Sequence, residues 1–244
     1  MKIILSPAKT IKPSKESPMG RPVFCDKALE IKEKMQKLSP WELEALLKVN
    51  PNLGEKSHFQ WQNMDLEAVG YPAALTYDGI VFKNLKAENF SEDERIWAQN
   101  HLVILSGFYG MIRAFDGILP YRLEMGTKLK LGNNNNLYDF WHNLIYQEIM
   151  VNKEPIINLA SEEYAKVIRK YLKESDEFID IVFLTPKNGK LKTITTYAKM
   201  ARGKMAAFII KNKVKSPKEL RFFEDGFAYS RCDSSEKKLV FIQK

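Results

Sequence analysis

The 244-residue chain predicts a single α/β domain: a mixed β-sheet flanked by helices, with a small helix-hairpin-helix-like helical insertion. Two observations predict it. Short apolar runs alternate with segments of helical period, and at least two hairpin signals intrude, which mixes strand directions in the sheet. Hydrophobic residues make up 45% and charged residues 28%, a globular balance that supplies one sizeable core. No repeat, low-complexity linker or second core divides the chain, so residues 1–244 read as one unit, with 25–65 as a helical hairpin subregion.

The elements follow in order. Residues 2–5 are a short apolar strand closed by Ser6-Pro7, and residues 11–22 form a loop punctuated by Pro13, Pro18, Gly20 and Pro22. Asp26 caps a helix whose apolar positions are Ala28, Ile31, Met35 and Leu38. Ser39-Pro40-Trp41-Glu42 is a capping box with proline at the first helical position, and that helix is expected to end at Asn50-Pro51. A second short helix is expected to follow Gly54 and run to about Trp61. Residues 74–82 read as a hairpin around Asp78-Gly79. Ser91 and Glu94 make a second capping box, and Leu102–Leu105 is a buried-type strand feeding a glycine-punctuated loop. After a polar turn at Asn133–Asn136, residues 137–151 are expected to be helical. Ile156–Leu159 is another strand, with Ser161 capping the next helix. Phe178–Leu184 and Leu191–Thr196 flank Asn188-Gly189, the strongest hairpin signal in the chain. A helix to about Asn212, a third capping box at Ser216–Glu219 and a final hairpin (227–230, 239–242) complete it.

Composition excludes several classes. No stretch approaches the ~20 apolar residues that cross a bilayer, and residues 1–7 lack a signal peptide's pattern, so no membrane and a cytoplasmic location are expected. Cys25 and Cys232 make no disulfide framework and read as reduced thiols. His58, His101 and His142 form no ligand set with them, so no metal and no cofactor are expected. The net charge of +8 favours polyanions as partners.

Three segments carry candidate chemistry. From Lys187 to Lys218, ten Lys or Arg residues occur in 32 positions with no Asp or Glu, whereas a merely solvated helical face normally mixes signs. Lys199 and Arg202 share one helical face there, with Lys204 close by, and phosphate binding is favoured over simple solubility. Next, Lys48–Lys56 resembles a helix-hairpin-helix turn, in which Asn52, Gly54 and Lys56 would hold a phosphate on backbone N–H groups. Asn52 stands where the usual pattern has its first glycine; a plain helical hairpin is the alternative. Last, Ser106-Gly107-Phe108-Tyr109-Gly110 runs on to Arg113, Asp116, Arg122 and Glu124. Either these four form a structural ion-pair network, or Arg113 and Arg122 clamp phosphates while Glu124 or Asp116 acts as acid or base. Lys9, after the first strand, is placed to reach the same sheet edge.

The opening Ile3–Thr10 segment, Ser106–Gly110, Pro120–Gly126, Asn158–Tyr164 and Tyr197–Gly203 together resemble the YaaA family of bacterial peroxide-stress proteins, in order and over essentially the whole chain. The resemblance implies a cytosolic α/β protein that limits hydrogen peroxide damage by keeping free iron low. It further implies DNA binding through a positively charged cleft and a helix-hairpin-helix element, with no reaction assigned. Carried over residue by residue, it gives Lys9, Arg122, Lys199 and Arg202 as cleft candidates. The leading expectation is therefore a non-sequence-specific DNA-binding protein of the peroxide response, with no obligate protein partner. An enzyme acting on a nucleotide or nucleobase through Ser106–Gly126 is the alternative. Direct iron sequestration ranks last, for want of a cluster-binding cysteine set or a Glu-x-x-His pair.

Overall fold

Ile3, Ile4 and Leu5 are each fully buried, which is what a strand covered on both faces requires, and they set the middle of the sheet. In the computed structural model, which describes all 244 residues, the chain runs β1 (Lys2–Leu5), α1 (Cys25–Gln36), α2 (Pro40–Leu47), α3 (Pro51–Gln62), β2 (Tyr71–Pro72), α4 (Ala73–Thr76) and α5 (Ile80–Leu85). It continues through α6 (Glu92–His101), β3 (Leu102–Ser106), β4 (Gly110–Arg113), β5 (Gly117–Ile118), α7 (Leu137–Trp141), α8 (Leu144–Ile149) and β6 (Ile156–Asn158). The last elements are α9 (Glu162–Arg169), β7 (Phe178–Lys187), β8 (Lys190–Lys192), α10 (Thr195–Lys211), β9 (Phe227–Ser235) and β10 (Lys238–Gln243).

Eight strands form one mixed sheet in the order β4-β3-β1-β6-β7-β10-β9, with β8 paired to the far end of β7. The inner five (β3, β1, β6, β7, β10) are parallel, while β4, β8 and β9 add antiparallel. Strand β1 has β3 on one side and β6 on the other, so the chain leaves it in opposite directions. A single contiguous apolar core spans from Met1 to Phe241. No helix is long and apolar enough to cross a membrane.

Local chemistry explains the element ends. All three capping boxes form, Ser39 with Glu42, Ser91 with Glu94 and Ser216 with Glu219, each satisfying donors that a helix start leaves free. Asn188 and Gly189 take positive φ (53° and 71°), the conformation a tight hairpin turn needs, and join β7 to β8. That second strand is shorter than expected, because α10 begins at Thr195.

Three expectations are corrected. Residues 74–82 are not a hairpin: Gly79 is extended rather than left-handed, and α4 and α5 flank Tyr77-Asp78. The Asp78 side chain is held by Lys12 (2.6 Å) and Lys83 (3.1 Å) instead of closing a turn. The helix expected over 137–151 breaks at His142, whose φ of 44° ends α7. Helix α3 begins at Pro51, not after Gly54, because the Asn50 side chain accepts from the Leu53 N–H (3.0 Å) and caps it there.

The same shift changes where the expected helix-hairpin-helix residues lie. Helices α2 and α3 do pack against each other, but Asn52 and Gly54 lie inside α3. Asn50 takes both the Leu53 and Gly54 N–H groups, so these two donors are used within the helix start. Gly54 is needed for close helix approach: a Cβ there would stand 3.0 Å from the Pro40 carbonyl oxygen. An even tighter crossing joins α10 to α5, where a Cβ on Gly203 would lie 2.1 Å from the Val81 carbonyl oxygen.

Candidate functional site

Where β1 and β6 end, the chain opens a cavity of about 440 Å³. This is the carboxyl edge of the parallel strands, at the point where chain direction reverses about β1, the usual ligand position in an open α/β sheet. Five separate segments wall it: Ser6–Thr10 after β1, Asp78–Phe82 at the start of α5, Tyr121–Glu124, Leu159–Tyr164 after β6, and Lys199 with Arg202 on α10.

Each functional side chain is placed by a local rule. Over residues 121–125 burial alternates, with Tyr121, Leu123 and Met125 inward and Arg122 and Glu124 half-buried at the cavity. The segment is pinned by Tyr121, whose hydroxyl lies 2.6 Å from Ser106 Oγ and 2.7 Å from the Tyr77 hydroxyl. Burial pushes the Tyr121 hydroxyl up to about 12, so it stays neutral and anchors the wall. Lys199 and Arg202, three residues apart on α10, present to the same space.

The charges divide into two sets. Two of the acids are neutralised within the protein: Lys9 pairs with Glu124 at 2.7 Å, and hydrogen bonds from Lys12 and then Lys83 hold the Asp78 carboxyl below its ordinary value. Glu163 accepts the Gly126 N–H at 2.9 Å. The arginines are not neutralised. The Nε of Arg122 and of Arg202 is buried without a hydrogen-bond partner, and neither guanidinium has a carboxylate partner. Burial alone pushes the Arg202 guanidinium below its ordinary value, with no counter-charge opposing it.

Five of the sequence-derived candidates thus converge: Lys9, Arg122, Glu124, Lys199 and Arg202. The others do not. Asp116 is fully buried elsewhere, accepting from Gln99 Nε2 (2.8 Å) and the Arg113 backbone N–H (2.9 Å). Burial raises its carboxyl, opposed by the Arg113 N–H, and its work is to clamp the turn between β4 and β5. Arg113 is exposed on β4 and lines no part of the cavity, so the expected four-residue cluster is split. The Ser106–Gly110 loop is a closed hairpin turn rather than a phosphate loop, because Ser106 Oγ already accepts the Phe108 and Tyr109 N–H groups. Lys204 leaves the cavity face and pairs with Asp225 at 2.7 Å. Asn52, Gly54 and Lys56 lie on α3, away from the cavity lining.

Sequence reasoning missed Asp78, Glu163 and Tyr164 as lining residues. Ser161 is the N-cap residue of α9 as expected, but its side chain does not cap: its hydroxyl accepts from Ser6 Oγ (3.1 Å) and its N–H donates to the same oxygen (2.8 Å). The available signal was positional: residues following each central parallel strand face the ligand edge. Cys25 and Cys232 are free thiols, and no three His, Cys, Asp or Glu side chains converge to hold a metal ion.

The cavity-lining segments fall within residues 1–232, the span matched by the family described as peroxide stress protein YaaA. The chain belongs to this family. It is 38% identical over 247 residues to a UPF0246 protein of Clostridioides difficile (strain 630), covering 100% of both chains. A UPF0246 protein of Agathobacter rectalis is 40% identical over 100% of this chain and 99% of its own length. One from Lacticaseibacillus casei is 41% identical over the whole of both. All four residues that the YaaA resemblance carried over, Lys9, Arg122, Lys199 and Arg202, line the one cavity.

Proposed function

We propose that this member of the peroxide stress family binds DNA through its phosphates, without reading base sequence, and protects it or limits iron-driven damage to it. The observation that carries the reading is the pair Arg122 and Arg202, two guanidiniums without counter-charge in one cavity. A buried cation left unpaired is costly, and a phosphate oxygen supplies both the missing charge and the missing acceptors. The acid-free stretch from Lys187 to Lys218 carries ten cations, Arg202 among them, and adds Lys199 at the cavity. The test is fluorescence anisotropy with duplex, gapped and single-stranded DNA at two salt concentrations. Each phosphate engaged in a duplex adds about −0.9 to the log–log salt slope. Charge reversal at Lys199 and Arg202 is expected to flatten that slope; unchanged affinity in those variants sinks the proposal.

A second reading is supported by the carboxylates. Glu124 and Glu163 line the same cavity as the arginines, which a passive DNA groove does not need. In that reading the protein is an enzyme acting on a nucleotide, with the chemistry confined to the Arg122–Glu124 part of the Ser106–Gly126 segment. Arg122→Ala and Glu124→Gln would then fail to restore peroxide resistance to a deletion strain. Full complementation by both excludes it.

A further inference from the structure

We infer that the cavity takes a phosphomonoester, the terminal phosphate of a nucleic-acid strand or of a free nucleoside monophosphate, in preference to an internal phosphodiester. The inference rests on the phosphate reading above and goes further by naming the group and its position in the ligand.

Size is the first argument. Five chain segments wall about 440 Å³, a volume that suits one nucleotide-sized ligand.

Charge is the second. A phosphomonoester carries about −1.5 to −2 near neutral pH and offers three terminal oxygens. An internal diester carries a single charge on two. The cavity presents two guanidinium groups with no carboxylate partner, plus Lys199, which makes no ion pair either. Two planar forks with this much unopposed charge match a dianion with three acceptors better than a monoanion with two. Of the acids, Glu124 is held by Lys9 and Asp78 by Lys12 and Lys83, while Glu163 offsets one of the three free cations and leaves an excess of two positive charges.

The remaining carboxylate completes the site. Glu163 gives one oxygen to the Gly126 N–H at 2.9 Å, and its second oxygen has no hydrogen-bond partner in the protein. On the cavity wall, that oxygen is placed to accept from a sugar hydroxyl or an exocyclic amine of the nucleotide that carries the phosphate.

The test compares short labelled duplexes identical in sequence but ending in hydroxyl or in phosphate, with AMP and adenosine as competitors. Phosphorylated ends are expected to bind about tenfold tighter, and AMP but not adenosine to compete. Arg122→Gln and Arg202→Gln should abolish the preference while keeping a cooperative melting transition, which separates lost binding from lost folding. If AMP binds and neither duplex does, the ligand is the free nucleotide and the DNA reading falls alone. If both duplexes bind equally and AMP does not compete, the phosphomonoester inference is overturned while DNA binding stands. If nothing binds, both fall.

Discussion

Arg169 and Arg202 are both partly buried arginines on helices that cover the same sheet, and they are held in opposite ways. Arg169, at the end of α9, donates twice to Asp180 on β7 (3.0 and 2.9 Å) and once to Glu162 (3.2 Å). The hydrogen bond to Asp180 pushes its guanidinium above the ordinary value, whereas burial pushes that of Arg202 below it. An unpartnered Nε does not distinguish them, since Arg169 has one too. The counter-charge does. An arginine that serves the fold comes with its carboxylate, and one whose carboxylate is missing at a cavity awaits an anion from outside.

The largest effect that tests this contrast is on binding. Replacing Arg122 and Arg202 together by Gln should weaken phosphate-dependent affinity about a hundredfold, from two charge-assisted contacts. The same double variant should melt at a higher temperature than the parent, because it removes uncompensated charge. A lower melting temperature with unchanged affinity would place these arginines with Arg169 and erase the comparison. Next, Arg169→Met should cost about 2 kcal/mol in urea unfolding, a buried-pair value discounted for partial exposure, and leave binding unchanged.

That pair also predicts a pH effect. Burial raises the Asp180 carboxyl, but hydrogen bonds from Arg169 and Asn158 bring it below the ordinary carboxylate range. A folded value below the unfolded one, about 3.9, means stability that is present above pH 4 and lost as the pH falls through the folded value. Arg169→Met should show a shallower acid unfolding profile, and equal slopes would remove Asp180 from the account. A smaller effect is expected at Gly54, where alanine meets the Pro40 carbonyl and Glu44 and should cost about 1 kcal/mol without altering DNA affinity. Any binding defect there would revive the helix-hairpin-helix reading. The smallest is Lys204→Gln, which breaks a surface pair with Asp225 and should change stability by about 0.5 kcal/mol or less, with affinity preserved.

What the sequence made legible follows from the range of the interactions involved. Capping boxes at Ser39, Ser91 and Ser216 and the Asn188-Gly189 turn are decided within four residues, and all four formed as expected. The region 74–82 was not, since Asp78 is claimed by Lys12, a residue far away in sequence. The cavity lay between these cases. Lys9, Arg122, Glu124, Lys199 and Arg202 were identifiable by residue type and by family likeness, yet their meeting depends on strand order. Asp116 shows the limit, because a carboxylate near two arginines in sequence reads as chemistry until its partners prove to be Gln99 and a backbone amide.

Gly203 sits one position after Arg202, at the crossing of α10 and α5. Both helices contribute to the cavity wall. With no side chain at this position the two helices approach more closely than any larger residue allows. A relative bearing even a methyl group there must hold these two walls farther apart.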